Sequence, residues 1–282
     1  MTRLNRLLER LNLEVRTLTA DKQEASRLQD AKERGVFSSS IYPVAKALLQ
    51  SGHSQILSAL PNHRKRFGTF HRAQDNDVGF EFDNGYFPSP DAEVLYTMVR
   101  LFKPKRILEI GCGYSIRIIR QAILDGGFPT VLRCVDPLPR ADVSRLADTI
   151  IAKPVERLNP AELARNLGPD SLLFIDTSHE VKPANDVAFI YGSLLPLVPD
   201  GTLLHIHDIY LPFEYSEDIA ITRGWPWGEQ YIVAALLAHD ERWEVLWPGY
   251  YLHRTLPEFS RHFPFLKENY AQSLWLRRSP AR

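Results

Sequence analysis

The chain has 282 residues, 44% hydrophobic and 24% charged, with 34 Lys+Arg against 34 Asp+Glu. This suits one large globular domain with an appendage, and the missing basic excess argues against sequence-independent nucleic-acid binding. Two cysteines, Cys112 and Cys134, suit a reducing compartment better than a disulfide framework, and no apolar run reaches the roughly 20 residues that span a bilayer.

The opening "MTRLNRLLERLNLEV" carries charges among its apolar positions, unlike a signal peptide, so a cytoplasmic protein without a membrane partner is expected. Residues 3–34 read as a helix, with Leu4, Leu8, Leu11, Val15 and Leu18 on one stripe. That stripe fits either a homodimerising helix or a helix lying on its own domain. "VFSSSIYPVAKALLQSGHSQILSAL" (36–60) reads as one or two further helices. The stretch from 61 is basic and Gly-rich, as a loop would be, and its Arg64–Arg66 cluster fits a solvated face or a substrate contact. "SPDAEVLYTMVRLF" (89–102) has the marks of a helix start, with Pro and acids ahead of periodic apolar residues.

From 105 onward the pattern alternates. "RILEI" (106–110), "VLRCV" (131–135), "TII" (149–151), "SLLFI" (171–175) and "TLLHI" (202–206) are short, apolar and mostly separated by stretches of helical length. This predicts a parallel sheet with helices on both faces. "WEVLW" (243–247) and "SLWLRR" (273–278) then read as a closing pair that adds an antiparallel strand.

"RILEIGCGYS" holds the first functional signal. In open α/β sheets ligands bind beyond the carboxyl ends of the strands. Gly111 and Gly113 allow a tight turn and a ligand against the backbone. Ile116 stands where the dinucleotide fingerprint needs its third glycine, and the P-loop Gly-Lys-Ser/Thr is absent, so a diphosphate is not expected. Glu109 suits a cationic ligand; the backbone and Ser115 suit a carboxylate or amine. S-adenosylmethionine, a sulfonium with an amino-acid tail, has both features, while a bare structural turn stays open. Asp136, ending the second strand, suits ribose hydroxyls.

Residues 103–208 resemble the class I S-adenosylmethionine-dependent methyltransferases. "RILEIGCGYS" is similar to their first motif and Asp136 to their ribose-binding acid. "LLFIDTSHE" and "PDGTLLHIHDIYLP" are similar to their fourth and fifth strands. The likeness is closest to a bacterial small-molecule branch with D-x-S-H and H-D motifs. It implies an α/β, Rossmann-like, doubly wound seven-stranded sheet of order 3-2-1-4-5-7-6 with a helical N-terminal extension. Residues 1–85 would be that helical region with a cofactor-covering loop, and 86–282 the methyltransferase domain. Ser115 departs from the commoner glycine and would hydrogen-bond the methionine carboxylate. Tyr86 and Phe87 would be either an aromatic wall against the cofactor or buried loop anchors.

The chemistry falls at the tips of the fourth and fifth strands. Methyl transfer needs the acceptor aligned within about 3–3.5 Å of the methyl, and a hydroxyl acceptor must also shed its proton. Cation-dependent relatives hold a metal with an Asp after strand four and an Asp-Asn pair after strand five, which implies Asp176, His207 and Asp208 here. An imidazole with two carboxylates suits Mn, Fe or Zn as readily as Mg. Without a metal, His179 would be the general base. Catalytic roles are thus expected of His179, Asp176 and His207. Cofactor contacts are expected of Tyr86, Glu109, Gly111, Gly113, Ser115, Asp136 and Asp176. Trp225, Trp227 and Tyr215 suggest an aromatic lid, or a segment packed for stability. The expected function is O-methylation of a small molecule. The alternatives are a metal-dependent enzyme that uses the same fold for other chemistry, and a cofactor-binding assembly subunit.

Overall fold

A computed structural model of the chain describes residues 8, 12, 17–43, 45–76, 78–139 and 145–280. They fall into two compact units, the described residues of Met1–Ser40 with Glu214–Trp225, and Ile41–Phe213 with Pro226–Arg282.

In the first unit a helix, α1 (Thr19–Glu33), ends where Gly35 adopts φ 72°. Its surface is polar and only Ala31 is buried. Lys32 forms a 2.7 Å ion pair with Glu217, tying the helix to the later segment. Of the predicted stripe, Leu4, Leu11 and Val15 lie outside the described residues, and Leu18 precedes α1 with its side chain exposed.

The second unit is built on seven strands: β1 (Arg106–Ile110), β2 (Val131–Val135), β3 (Thr149–Ile151), β4 (Ser171–Ile175), β5 (Leu203–Ile206), β6 (Trp243–Pro248) and β7 (Leu274–Arg278). Their order is β3-β2-β1-β4-β5-β7-β6, as the resemblance implied. The first five are parallel, and β7 runs antiparallel between β5 and β6. The predicted strand positions hold to within one residue. The 36–60 region carries two short helices, within the one or two expected, at Ala45–Leu49 and His53–Ala59.

Side chains alternate across the sheet, so each strand feeds two cores. Ile107, Leu132, Leu172, Phe174 and Trp275 join one cluster; Leu108, Ile110, Leu173, Ile175, Leu204 and Leu276 join the other. The first cluster packs on helices α2 (Asp91–Phe102) and α3 (Ser115–Gly126). Glu109 and His205 share the parity of Phe174 and therefore lie inside this core, fully buried. Helix α4 (Glu229–His239) precedes β6 and buries Val233 in the second cluster. No helix among the described residues is long and apolar enough to cross a membrane.

Candidate functional site

The strand tips form one continuous edge because backbone pairing runs past each strand's end. Gly111 N–H donates to Val135 O, Asp176 N–H to Ile110 O, and His207 N–H to Ile175 O. This places the turn after β1 beside the residues following β2, β4 and β5. Gly111 sits at φ 84°, and a Cβ there would fall 1.7 Å from the Asp176 carbonyl oxygen. Only glycine fits that position. Gly113 differs, since a Cβ there meets nothing within 4 Å, so the space beside its Cα is open. No side chain caps the N-terminus of α3, where the turn delivers the chain.

Glu109 and Ser115 correct an expectation. Both are buried, and the Ser115 hydroxyl donates to Glu109 Oε1 at 2.5 Å, while Cys134 Sγ lies 3.6 Å from Oε2. Burial pushes the Glu109 carboxyl up to about 8 against the opposing Ser115 bond, so at neutral pH it mostly keeps its proton. Both side chains are turned into the core and bonded to each other. They brace the turn from below, because the period-two alternation of β1 turns position 109 into the core. Cys112, Cys134 and Glu109 lie within 4.8 Å of one another, and the contact with Cys134, then burial, pushes the Cys112 thiol up.

Asp136 is half-buried and accepts from Cys112 N–H at 2.8 Å and from Leu138 N–H at 2.7 Å. It thus ties the tips of β1 and β2 together, and each oxygen keeps a further lone pair. Tyr86 and Phe87 part ways. Phe87 is a buried anchor, 4.8 Å from the His207 ring and 5.9 Å from Phe174. Tyr86 is exposed and stacks on Tyr114 at 5.4 Å, next to Gly113 in sequence.

Asp176, His179, His207 and Asp208 converge as expected, with one change of partner. His179 Nε2 lies 3.1 Å from Asp208 Oδ2 and 3.4 Å from Asp176 Oδ1. His207 Nδ1 stands farther off, at 3.7 and 3.8 Å from the same oxygens. On its other side His207 Nε2 lies 3.5 Å from Asp91 Oδ2 without a hydrogen bond, and the ring packs on Phe87. The tight three-donor set is therefore Asp176, His179 and Asp208, not Asp176, His207 and Asp208. His179 and Asp208 both adopt φ 58°, a left-handed backbone unusual for non-glycine residues and most often retained at functional sites.

Burial by itself would depress both histidines and raise both acids. Mutual attraction outweighs it. His207 is pushed up to about 9 by Asp208, Asp176 and Asp91, and His179 well above its usual range by Asp176, Asp208 and Glu229. Asp176 and Asp208 are held below the ordinary carboxylate range by the same histidines. The expectation that His179 is a free base near neutral pH does not hold in this arrangement: three carboxylates around one imidazole keep its proton. His205, stacked on Phe174 at 3.9 Å, is depressed by burial and belongs to the core.

Two acids escaped the sequence reading. Asp91 accepts from Gln272 N–H at 2.8 Å and Ser273 N–H at 3.1 Å and faces His207. Glu229 is fully buried and lies 2.8 Å from His179 Nδ1. Both stand in a first helical turn, where an acid is ordinary on dipole grounds, so the pattern hid them. Of the expected lid, Trp227 packs 4.6 Å from the His179 ring, while Tyr215 and Trp225 belong to the other compact unit.

A family model described as a methyltransferase domain matches residues 108–209. No curated protein matches the chain. Among solved structures, the chain is similar to a putative O-methyltransferase from Klebsiella pneumoniae, with 14% identity, 80% of this chain and 90% of that one covered, and a TM-score of 0.43. It is similar to an SAH-bound methyltransferase from Podospora anserina at 16%, 95%, 100% and 0.43 on the same measures. An O-methyltransferase from Bacillus cereus in complex with SAH gives 14%, 80%, 91% and 0.43. Values this low say nothing about substrate. Residues 108–209 match a methyltransferase domain, and the strand order is the one that the resemblance to the class I methyltransferases implied.

Proposed function

We propose that this domain binds S-adenosylmethionine across the tips of β1 and β2 and methylates a hydroxyl of a small molecule beside Asp176, His179 and Asp208. The observation that carries this reading is the shared edge: the open backbone at Gly113, the acid Asp136 and the histidine–carboxylate cluster lie at the carboxyl ends of neighbouring strands. The chain's residues fit the cofactor. Gly113 and the uncapped start of α3 suit its amino-acid tail, and the remaining lone pairs of Asp136 suit its ribose. When bound, the cofactor supplies an electrophilic methyl group on a good leaving group.

What the chain must add is alignment and a route for the acceptor's proton. Asp176 and Asp208 also suit a divalent cation, with His179 Nε2 as third donor and His207 Nδ1 alongside; a donor set of two carboxylates and imidazole favours a transition metal. A proton on His179 and a cation between the carboxylates are alternative ways of balancing the same negative charge. Without a cation, the buried His207 carries positive charge next to the acids, drawn up by Asp208, Asp176 and Asp91.

Calorimetric titration with S-adenosylmethionine tests the reading. Saturable binding is expected, weakened at least tenfold in Asp136→Ala. Absence of binding by the folded wild-type protein would remove the proposal.

A further inference from the structure

His179 is held unusually firmly for a residue in a loop. Its φ of 58° is strained, and its carbonyl accepts from both Gly228 N–H at 2.8 Å and Glu229 N–H at 3.1 Å. Its side chain is fixed by the same segment, with Nδ1 2.8 Å from Glu229 Oε2. Glu229 is itself anchored, since the Tyr191 hydroxyl donates to Oε1 at 2.8 Å. A carboxylate can only accept, so Nδ1 must carry a hydrogen. The other ring nitrogen, Nε2, then points between Asp208 and Asp176.

We propose that Glu229 is a positioning residue, acting through His179: with Tyr191 it fixes the proton on Nδ1 and so makes Nε2 the atom presented to a cation between Asp176 and Asp208. This rests on the cation reading above. A buried acid behind a histidine ligand orients the ring, fixes its tautomer and raises its basicity, and removing such a partner lowers metal affinity about 10- to 100-fold.

Glu229→Gln has a distinctive consequence. Tyr191 donates toward Oε1, so the glutamine carbonyl takes that place and the amide N–H₂ faces Nδ1. Two donors then meet, the ring gives up its Nδ1 proton, and Nε2 holds it where the cation needs a lone pair. In the double variant Tyr191→Phe/Glu229→Gln the amide is free to turn its oxygen toward Nδ1.

The test is Mn²⁺ binding to the full chain, followed by electron paramagnetic resonance, with circular dichroism as the folding control. Glu229→Gln should bind about 10- to 100-fold more weakly than wild type, and the double variant should recover part of the loss. Affinity of Glu229→Gln within about twofold of wild type, or a double variant no better than the single one, overturns the proposal. A second readout stands apart from the cation: the ¹⁵N–¹H spectrum of histidine-labelled wild-type protein should show a low-field Nδ1 proton on His179. Its absence overturns the proposal too. Wild-type protein that shows this resonance but binds no Mn²⁺ removes the cation reading while upholding the role of Glu229.

Discussion

Gly111 and Gly113 look alike in sequence and differ in the structure, which makes them a pair of tests. Gly111→Ala places a methyl against the Asp176 carbonyl at a left-handed backbone position. It should lower the melting temperature by several degrees and reduce soluble yield. Gly113→Ala adds its methyl to open space. It should leave the melting temperature within about 2 °C, since a stability change near 1 kcal/mol moves a domain of this size by only about 2–4 °C. Its S-adenosylmethionine affinity should nevertheless fall at least tenfold, because the ligand is to lie there. Equal binding by Gly113→Ala and wild type in calorimetry would place the cofactor elsewhere. Glu109 and Ser115 show where residue-level reading went astray. The motif suggested a charge and a donor facing outward. The strand's alternation turned the acid inward, and the serine followed it.

Helix α2 shows how an element can position a site while looking only structural. Asp91 bonds the amides of Gln272 and Ser273 at the start of β7 and faces His207, so it links helix, strand and cluster. Asp91→Ala orphans two amides at this junction and should cost about 2–4 kcal/mol in denaturant unfolding; a loss below about 0.5 kcal/mol would show that the link does not matter. Two residues on, Glu93 is buried with one oxygen accepting from Ser89 and the other unpartnered. Burial, against the Ser89 bond, pushes its carboxyl up to about 8. In the unfolded chain the same group titrates near 4.5. The folded state therefore keeps a proton that the unfolded state releases, and stability falls as pH rises from about 4.5 through 8, by up to about 1.4 kcal/mol per pH unit. Glu93→Gln should flatten that slope and be the more stable protein at pH 8. Identical pH–stability curves for the two would contradict a proton held at Glu93. Elements were the most legible level in the sequence. Short apolar runs separated by helical lengths located all seven strands, because β-rich segments buried on both faces leave little ambiguity. The two helices of 36–60 were legible as elements but not in their boundaries, which depend on packing rather than pattern.

At the scale of the whole molecule, parallel strands bring to one edge residues that lie far apart in the chain, and the sequence gives only part of that meeting. The D-x-S-H and H-D motifs announced Asp176, His179, His207 and Asp208. They did not announce Glu229, fifty positions beyond His179 and contacting it only through the fold. Nor did they say which imidazole would face the carboxylates, because that follows from the left-handed backbone at His179 and from the place of Asp91 beside His207. Two carboxylates with imidazole should favour Mn²⁺ or Zn²⁺ over Mg²⁺ at least tenfold in competitive titration, whereas a preference for Mg²⁺ would contradict that donor set. The most direct measurement is a crystal structure of the protein with S-adenosylhomocysteine and Mn²⁺, using anomalous scattering to locate the metal. The account predicts the amino-acid tail against Gly113, the ribose on Asp136, and the anomalous peak between Asp176, His179 and Asp208. A nucleoside bound away from the β1 and β2 tips would contradict it.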